Sequence, residues 1–238
     1  MPFSGLEQGC AARVQLEQVD AKEFRLLQAF RYVDPEGRTF VVTPDILGPT
    51  DLTSVPFGFR WFVNSYGRHT LPALLHDCLI DAQRAKRALQ SGGTVPDRRG
   101  ADDLFLAAMG EQRVAKIRRH VMWSAVTFNT RFCHLGWAAR IGMILWTLAA
   151  LGGTTLLYSG AVAAPPHWAW IAIGAAGPLL FAWLWWRSAW AGICFGYGIA
   201  LLLPAGIVVH VSFLLYWCLE RLLAAFGLSS PPPTFRHF

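Results

Sequence analysis

The chain predicts an α+β fold: a small cytoplasmic domain of a hairpin plus helices, then an all-α transmembrane bundle of three helices, with four as the alternative. Three observations carry this expectation. Of the 21 Lys+Arg and 15 Asp+Glu residues, only Arg187, Glu220, Arg221 and Arg236 lie beyond Arg140. Two β-rich runs, Phe24 to Val33 and Arg38 to Thr43, flank an Asp34-Pro35-Glu36-Gly37 turn, with proline and glycine where a hairpin turn places them. Capped stripes of helical period then follow from Thr70 to Thr130, before the charge runs out.

The boundaries follow from these shifts. Residues 1–23 form an N-terminal segment, 24–135 the water-soluble domain, 136–227 the transmembrane region and 228–238 a Pro-rich tail. An apolar fraction of 54% exceeds that of an ordinary globule, and the excess is C-terminal. A net charge of +6 is too mild to point to nucleic acid, and anionic lipid headgroups are the better partner for it. The five cysteines are an odd number without a C-x-x-C pair, which argues against a disulfide framework and for a reducing compartment. Met1 to Asp20 lacks a basic start followed by an apolar run, so no signal peptide is expected and the N-terminal domain stays in the cytoplasm.

The hairpin leaves through Thr43-Pro44 into Thr50-Asp51-Leu52-Thr53-Ser54-Val55-Pro56, a loop in which hydroxyls and a carboxylate compete for backbone hydrogen bonds. An aromatic patch from Phe57 to Tyr66 precedes Thr70, the expected N-cap of a helix over 71–90. His69 reads as a turn or surface residue. Leu71, Leu74, Leu75, Cys78 and Leu79 form the apolar face of that helix, with His76 and Asp77 beside it. Asp97 is the second N-cap candidate, opening a helix to Met109. A last soluble helix, 112–130, is basic at its start and is expected to lead straight into the bilayer. Its Lys116, Arg118 and Arg119 are candidates for anionic-lipid contact.

Beyond Arg140, residues 141–164, 167–186 and 189–218 read as spans long enough for about 30 Å of hydrocarbon. Ala164-Pro165-Pro166-His167 reads as a tight external turn between the first two. The third would measure about 46 Å as one helix, so Pro204 either kinks a tilted helix, the favoured reading, or divides a hairpin. Tryptophans at the span ends suit an aromatic belt. The basic residues Lys116, Arg118, Arg119, Arg131 and Arg140 ahead of the first span, and Arg187 in the second loop, place the N-terminal domain on the inner face of the cell membrane. Gly152-Gly153, Gly174 and the Gly192/Gly196 pair offer close helix packing. His210 is the one candidate for a mid-depth ionisable group, and as a lone histidine it fits a helix–helix hydrogen bond better than transport.

In order and spacing, the 50–56 loop, Leu75-His76-Asp77 and Arg98-x-x-Ala101-Asp102-x-Leu104-Phe105 resemble a phage and bacterial family, domain of unknown function 1353. The resemblance covers about residues 24–130 and implies a hairpin, a T-D-x-A/T-S-V-P loop and two motif-bearing helices. Thr53 and Ile80 depart from its usual alanine and tyrosine. It implies no activity.

Two functions compete on these residues. If Asp51, His76, Asp77 and Asp102 converge, a histidine ringed by carboxylates can serve as general base of a membrane-tethered hydrolase. The same set can instead hold a divalent metal ion, although consecutive helical residues such as His76 and Asp77 point about 100° apart, which disfavours joint ligation. A His-Asp pair on a helix is similar to that of secreted phospholipases A2, but the disulfides and Gly-rich calcium loop are missing, and Ser54 lacks a nucleophile elbow. The competing reading, which the residues favour, is a membrane-anchored structural or interaction module. In it these groups satisfy one another and Arg98 pairs with a carboxylate.

Overall fold

The computed structural model describes residues 2–6, 10–20, 23–50, 61–64, 66–85 and 95–228. Strands β1 (Phe3–Gly5), β4 (Phe30–Val33) and β5 (Thr39–Val42) form a three-stranded antiparallel sheet in the order β1-β4-β5. Strands β2 (Leu16–Gln18) and β3 (Phe24–Leu26) pair separately. The first arm of the expected hairpin is therefore split, with 24–26 in one sheet and 30–33 in the other. The N-terminal segment supplies β1 and β2, and Phe3 is buried against Phe30 and Tyr32.

The β4–β5 turn forms where the sequence places it. The buried Asp34 carboxylate accepts hydrogen bonds from the Glu36 and Arg38 amides at 3.0 and 2.8 Å, and from Arg38 Nε at 2.6 Å. Gly37 takes φ 81°, the left-handed position that three-residue hairpin loops assign to glycine.

Three helices complete the domain: α1 (Thr70–Ala85), α2 (Arg98–Glu111) and α3 (Lys116–His134). The Asp97 side chain accepts from the Gly100 amide at 2.8 Å, capping α2 as expected. The Thr70 hydroxyl instead accepts from the Gly67 amide, 2.9 Å away, and braces the turn ahead of α1 rather than capping the helix. α1 packs its Leu74, Leu75, Cys78 and Leu79 against the strands, joined by Ala101, Leu104 and Ala108 of α2. The other side of α2, Phe105 and Met109, enters a second core. Thus α2 stands between two cores.

That second core overturns one expectation. α3 does not run on into a separate apolar region. A break at Leu135–Gly136, with Gly136 at φ 88°, turns the chain back along α3 into α4 (Trp137–Val162). Met122 and Trp123 of α3 then share a core with Met143, Trp146 and Ala150 of α4, with Trp185, and with Ala191 of α6 (Ala189–Ala225). Phe128 sits among Trp146, Trp185 and Phe195, at ring-centroid separations of 6.2, 6.0 and 5.4 Å. Arg140 marks a boundary in composition, not in packing.

The expected single span over 167–186 is broken. α5 covers Trp168–Leu180, a 3-10 segment follows over Ala182–Ser188, and Trp186 takes φ 50°. Glycines close the α4–α5 hairpin. A methyl group at Gly174 would lie 2.4 Å from the Gly153 carbonyl oxygen. α6 runs uninterrupted through Pro204, as the kinked-helix reading has it. Two stretches, Trp137–Val162 and Trp168–Ala225, are long and apolar enough to cross a membrane. The last buried residue of α6 is Gly206.

Candidate functional site

His76 faces inward from the middle of α1 because it neighbours the apolar stripe that packs on the strands. α2 crosses opposite it. There the buried Asp102 carboxylate Oδ1 accepts from His76 Nε2 at 2.9 Å, and the Phe105 ring lies 5.3 Å from the imidazole. The second ring nitrogen, Nδ1, is 3.7 Å from Asp77 Oδ1. Asp77 in turn accepts from the Thr50 hydroxyl at Oδ2, 2.7 Å away. Thr50 is tied to β3 through reciprocal backbone bonds with Phe24, at 2.8 and 2.9 Å. The cluster therefore joins the end of the β5 connection, α1 and α2.

Of the four residues expected to converge, the structure brings together His76, Asp77 and Asp102. Asp51 lies outside the described residues, as do Thr53 and Ser54; Thr50, immediately before Asp51, is the described neighbour of Asp77. Arg98 forms no ion pair among the described residues, so the expected carboxylate partner is not found there. Burial, followed by the nearby Arg84 charge, lowers its pKa. His69 is a turn residue, the first of its two expected places, but it is buried rather than at the surface, with Nε2 donating to the Asn64 carbonyl at 2.8 Å.

The electrostatics decide what His76 can do. Burial alone would push its pKa down, but the hydrogen bonds it donates to Asp102 and Asp77, with the charges of both carboxylates, outweigh it, and the pKa rises to about 9. The surroundings thus favour the protonated imidazole, paired with a carboxylate that is only 2% exposed. The arrangement acts as a buried ion pair pinning α1 to α2. Asp102 Oδ2 is buried without a hydrogen-bond partner among the described residues, leaving one acceptor position for a donor. No group of three or more His, Cys, Asp or Glu is arranged to hold a metal ion among the described residues. A cleft of about 550 Å³ opens elsewhere, between β2–β3 and the start of α1, lined by Leu16, Phe24, Tyr66, Arg68 and Gln112.

Sequence reasoning missed the second core. Its signal was present in the spacing of Met143, Trp146 and Ala150 on one helical face, which matches the Met122, Trp123 and Val126 side of α3.

Residues 24–126 match the family model described as protein of unknown function (DUF1353). No curated protein and no solved structure matches the chain.

Proposed function

We propose, taking as premise that residues 24–126 form a DUF1353 domain, that this chain is a membrane-anchored structural or interaction module. Its domain lies on the cytoplasmic side of the cell membrane and its polar cluster serves the fold. The observation that carries the anchor is α6 beyond Gly206. Over residues 207–225 no side chain is buried, while Val208, Leu215, Tyr216 and Leu219 are all exposed. A helix apolar on every side needs an apolar environment, and the uncovered uncharged run 207–219 measures about 20 Å, to which the apolar residues of α6 ahead of Gly206 add the rest of a hydrocarbon crossing. Glu220 and Arg221 close the uncharged run.

The polar cluster supports the module reading over hydrolysis. His76 is hydrogen-bonded to the buried Asp102, which favours its protonated form, and the cleft described above is lined by other residues. Orientation rests on the excess of Lys and Arg ahead of the first apolar helix.

Flotation of the full chain with vesicles tests the anchor. Wild-type protein is expected to float and to resist alkaline carbonate, and Val211→Lys with Leu215→Lys to lose both properties. A double variant that still floats and resists carbonate would remove α6 as the anchor. His76→Ala is expected to keep membrane association and lose thermal stability.

A further inference from the structure

The first turn of α3 places Lys116, Arg118 and Arg119 at the positive end of the helix dipole, with no acidic residue in that turn and no side-chain cap. Cations there weaken a helix, so local stability does not explain them. The preceding loop adds Arg113, held at φ 54°, a region that residues other than glycine enter rarely. Arg68 joins them by donating from Nη1 to the Arg113 carbonyl at 3.4 Å. Among the described residues, cations paired with a carboxylate within 4.0 Å are Arg25, Arg38, His76 and Arg84. None of the five at this end of the domain is so paired.

Large apolar side chains are interleaved with the cations. Ile117 is 65% exposed and Trp61 48%. Phe62 links the two kinds of group, with the Arg118 guanidinium 5.7 Å from its ring and the Trp61 ring 5.9 Å away. Basic residues alternating with tryptophan and aliphatic side chains make a surface suited to the headgroup–acyl boundary.

The position on the fold agrees. Phe128 meets Phe195, and Val121 approaches Gly198, so falling numbers on α3 correspond to rising numbers on α6. The basic end of α3 therefore lies toward Leu202 and Gly206, where the buried residues of α6 run out.

We propose that Arg68, Arg113, Lys116 and Arg118, with Trp61 and Ile117, dock on the anionic phospholipid headgroups of the bilayer that α6 enters. This rests on the anchor reading above. The contact seats the domain against the membrane through a second point, besides α6. Each basic residue at an anionic surface strengthens association by roughly fivefold, and high salt weakens it.

The test is hydrogen exchange at the amides of residues 115–118 of the full chain in nanodiscs of phosphatidylcholine, with and without phosphatidylglycerol. The first amides of a helix have no intrahelical partner, so they report on contact directly. Wild type should exchange at least roughly fivefold more slowly in discs containing phosphatidylglycerol, and raised salt should abolish the difference. Arg113→Glu with Lys116→Glu should abolish it too, with incorporation and melting temperature unchanged. Equal exchange in the two lipids overturns the proposal. So does protection in phosphatidylcholine discs on adding inorganic phosphate, which would mark a free-phosphate site. A chain that enters neither disc overturns the anchor reading, and this contact with it.

Discussion

The Tyr158 hydroxyl donates to the Ala200 carbonyl at 2.8 Å, and Ala200 is the residue whose carbonyl Pro204 leaves unserved. A proline inside a helix has no N–H for the residue four before it. α4 thus supplies, through a side chain, the bond that α6 cannot make for itself. With that bond in place, α6 is helical from Ala189 to Ala225.

Tyr158→Phe is expected to destabilise the α4–α6 contact by about 1 kcal/mol, the net worth of one hydrogen bond. The check is thermal unfolding in detergent, with Tyr197→Phe, which loses a bond to the Ala175 carbonyl, for comparison. A Tyr158→Phe protein as stable as wild type would mean that the Ala200 carbonyl finds another donor.

His76→Ala removes one partner of a buried ion pair and leaves the Asp102 carboxylate without its hydrogen bond. The expected cost is about 3–5 kcal/mol, read as a large fall in melting temperature. His76→Ala melting with wild type would show that the pair does not hold α1 to α2.

Stability should also depend on pH through two histidines of opposite sign. The folded state raises the His76 pKa to about 9 from an ordinary value near 6.5. Its contribution is therefore complete below about 6.5 and fades as pH rises through about 9. Burial lowers the His69 pKa, so its contribution is present above about 6.5 and is lost as the medium becomes more acidic. Melting temperature against pH should accordingly pass through a maximum near neutrality. In Asp102→Asn the alkaline decline should shrink, and a decline of unchanged size would assign it to other groups.

The α4–α5 hairpin should discriminate between adjacent glycines on α4 and their partner. Gly174→Val meets the Gly153 carbonyl and Leu157 below 3.0 Å, whereas a methyl group at Gly152 meets nothing within 4 Å. Overpacking at the first is expected to cost about 1–3 kcal/mol or more; Gly152→Ala should be neutral. Size-exclusion profiles and melting curves of the two variants in one detergent would show the contrast.

Parts of this molecule are legible from short stretches because their causes are short-range. The Asp34–Gly37 turn and the Asp97 cap arise from side chains bonding backbone groups within a few residues, so the residue types alone announce them. The approach of His76 to Asp102 was anticipated from three motifs standing in order. The upward shift of the histidine's pKa follows from the same neighbours, through its hydrogen bonds to Asp102 and Asp77. The span expected over 167–186 failed because an uncharged stretch carries no mark of where its helix breaks, and the break at Trp186 follows from Trp185 turning into the aromatic cluster with Trp146 and Phe195.

The amino-acid order by itself determined the charge partition at Arg140, the hairpin turn, the Asp97 cap and the motifs that resemble DUF1353, since each depends on local bonding or on composition. Only the tertiary structure decided that α3 shares a core with α4 and α6, that one tyrosine serves the carbonyl Pro204 leaves without a helical donor, and that no residue of α6 is buried beyond Gly206. Those outcomes depend on which apolar faces meet, and burial is non-directional: it rewards any sufficiently apolar partner, so the choice among partners appears only when all of them are in place.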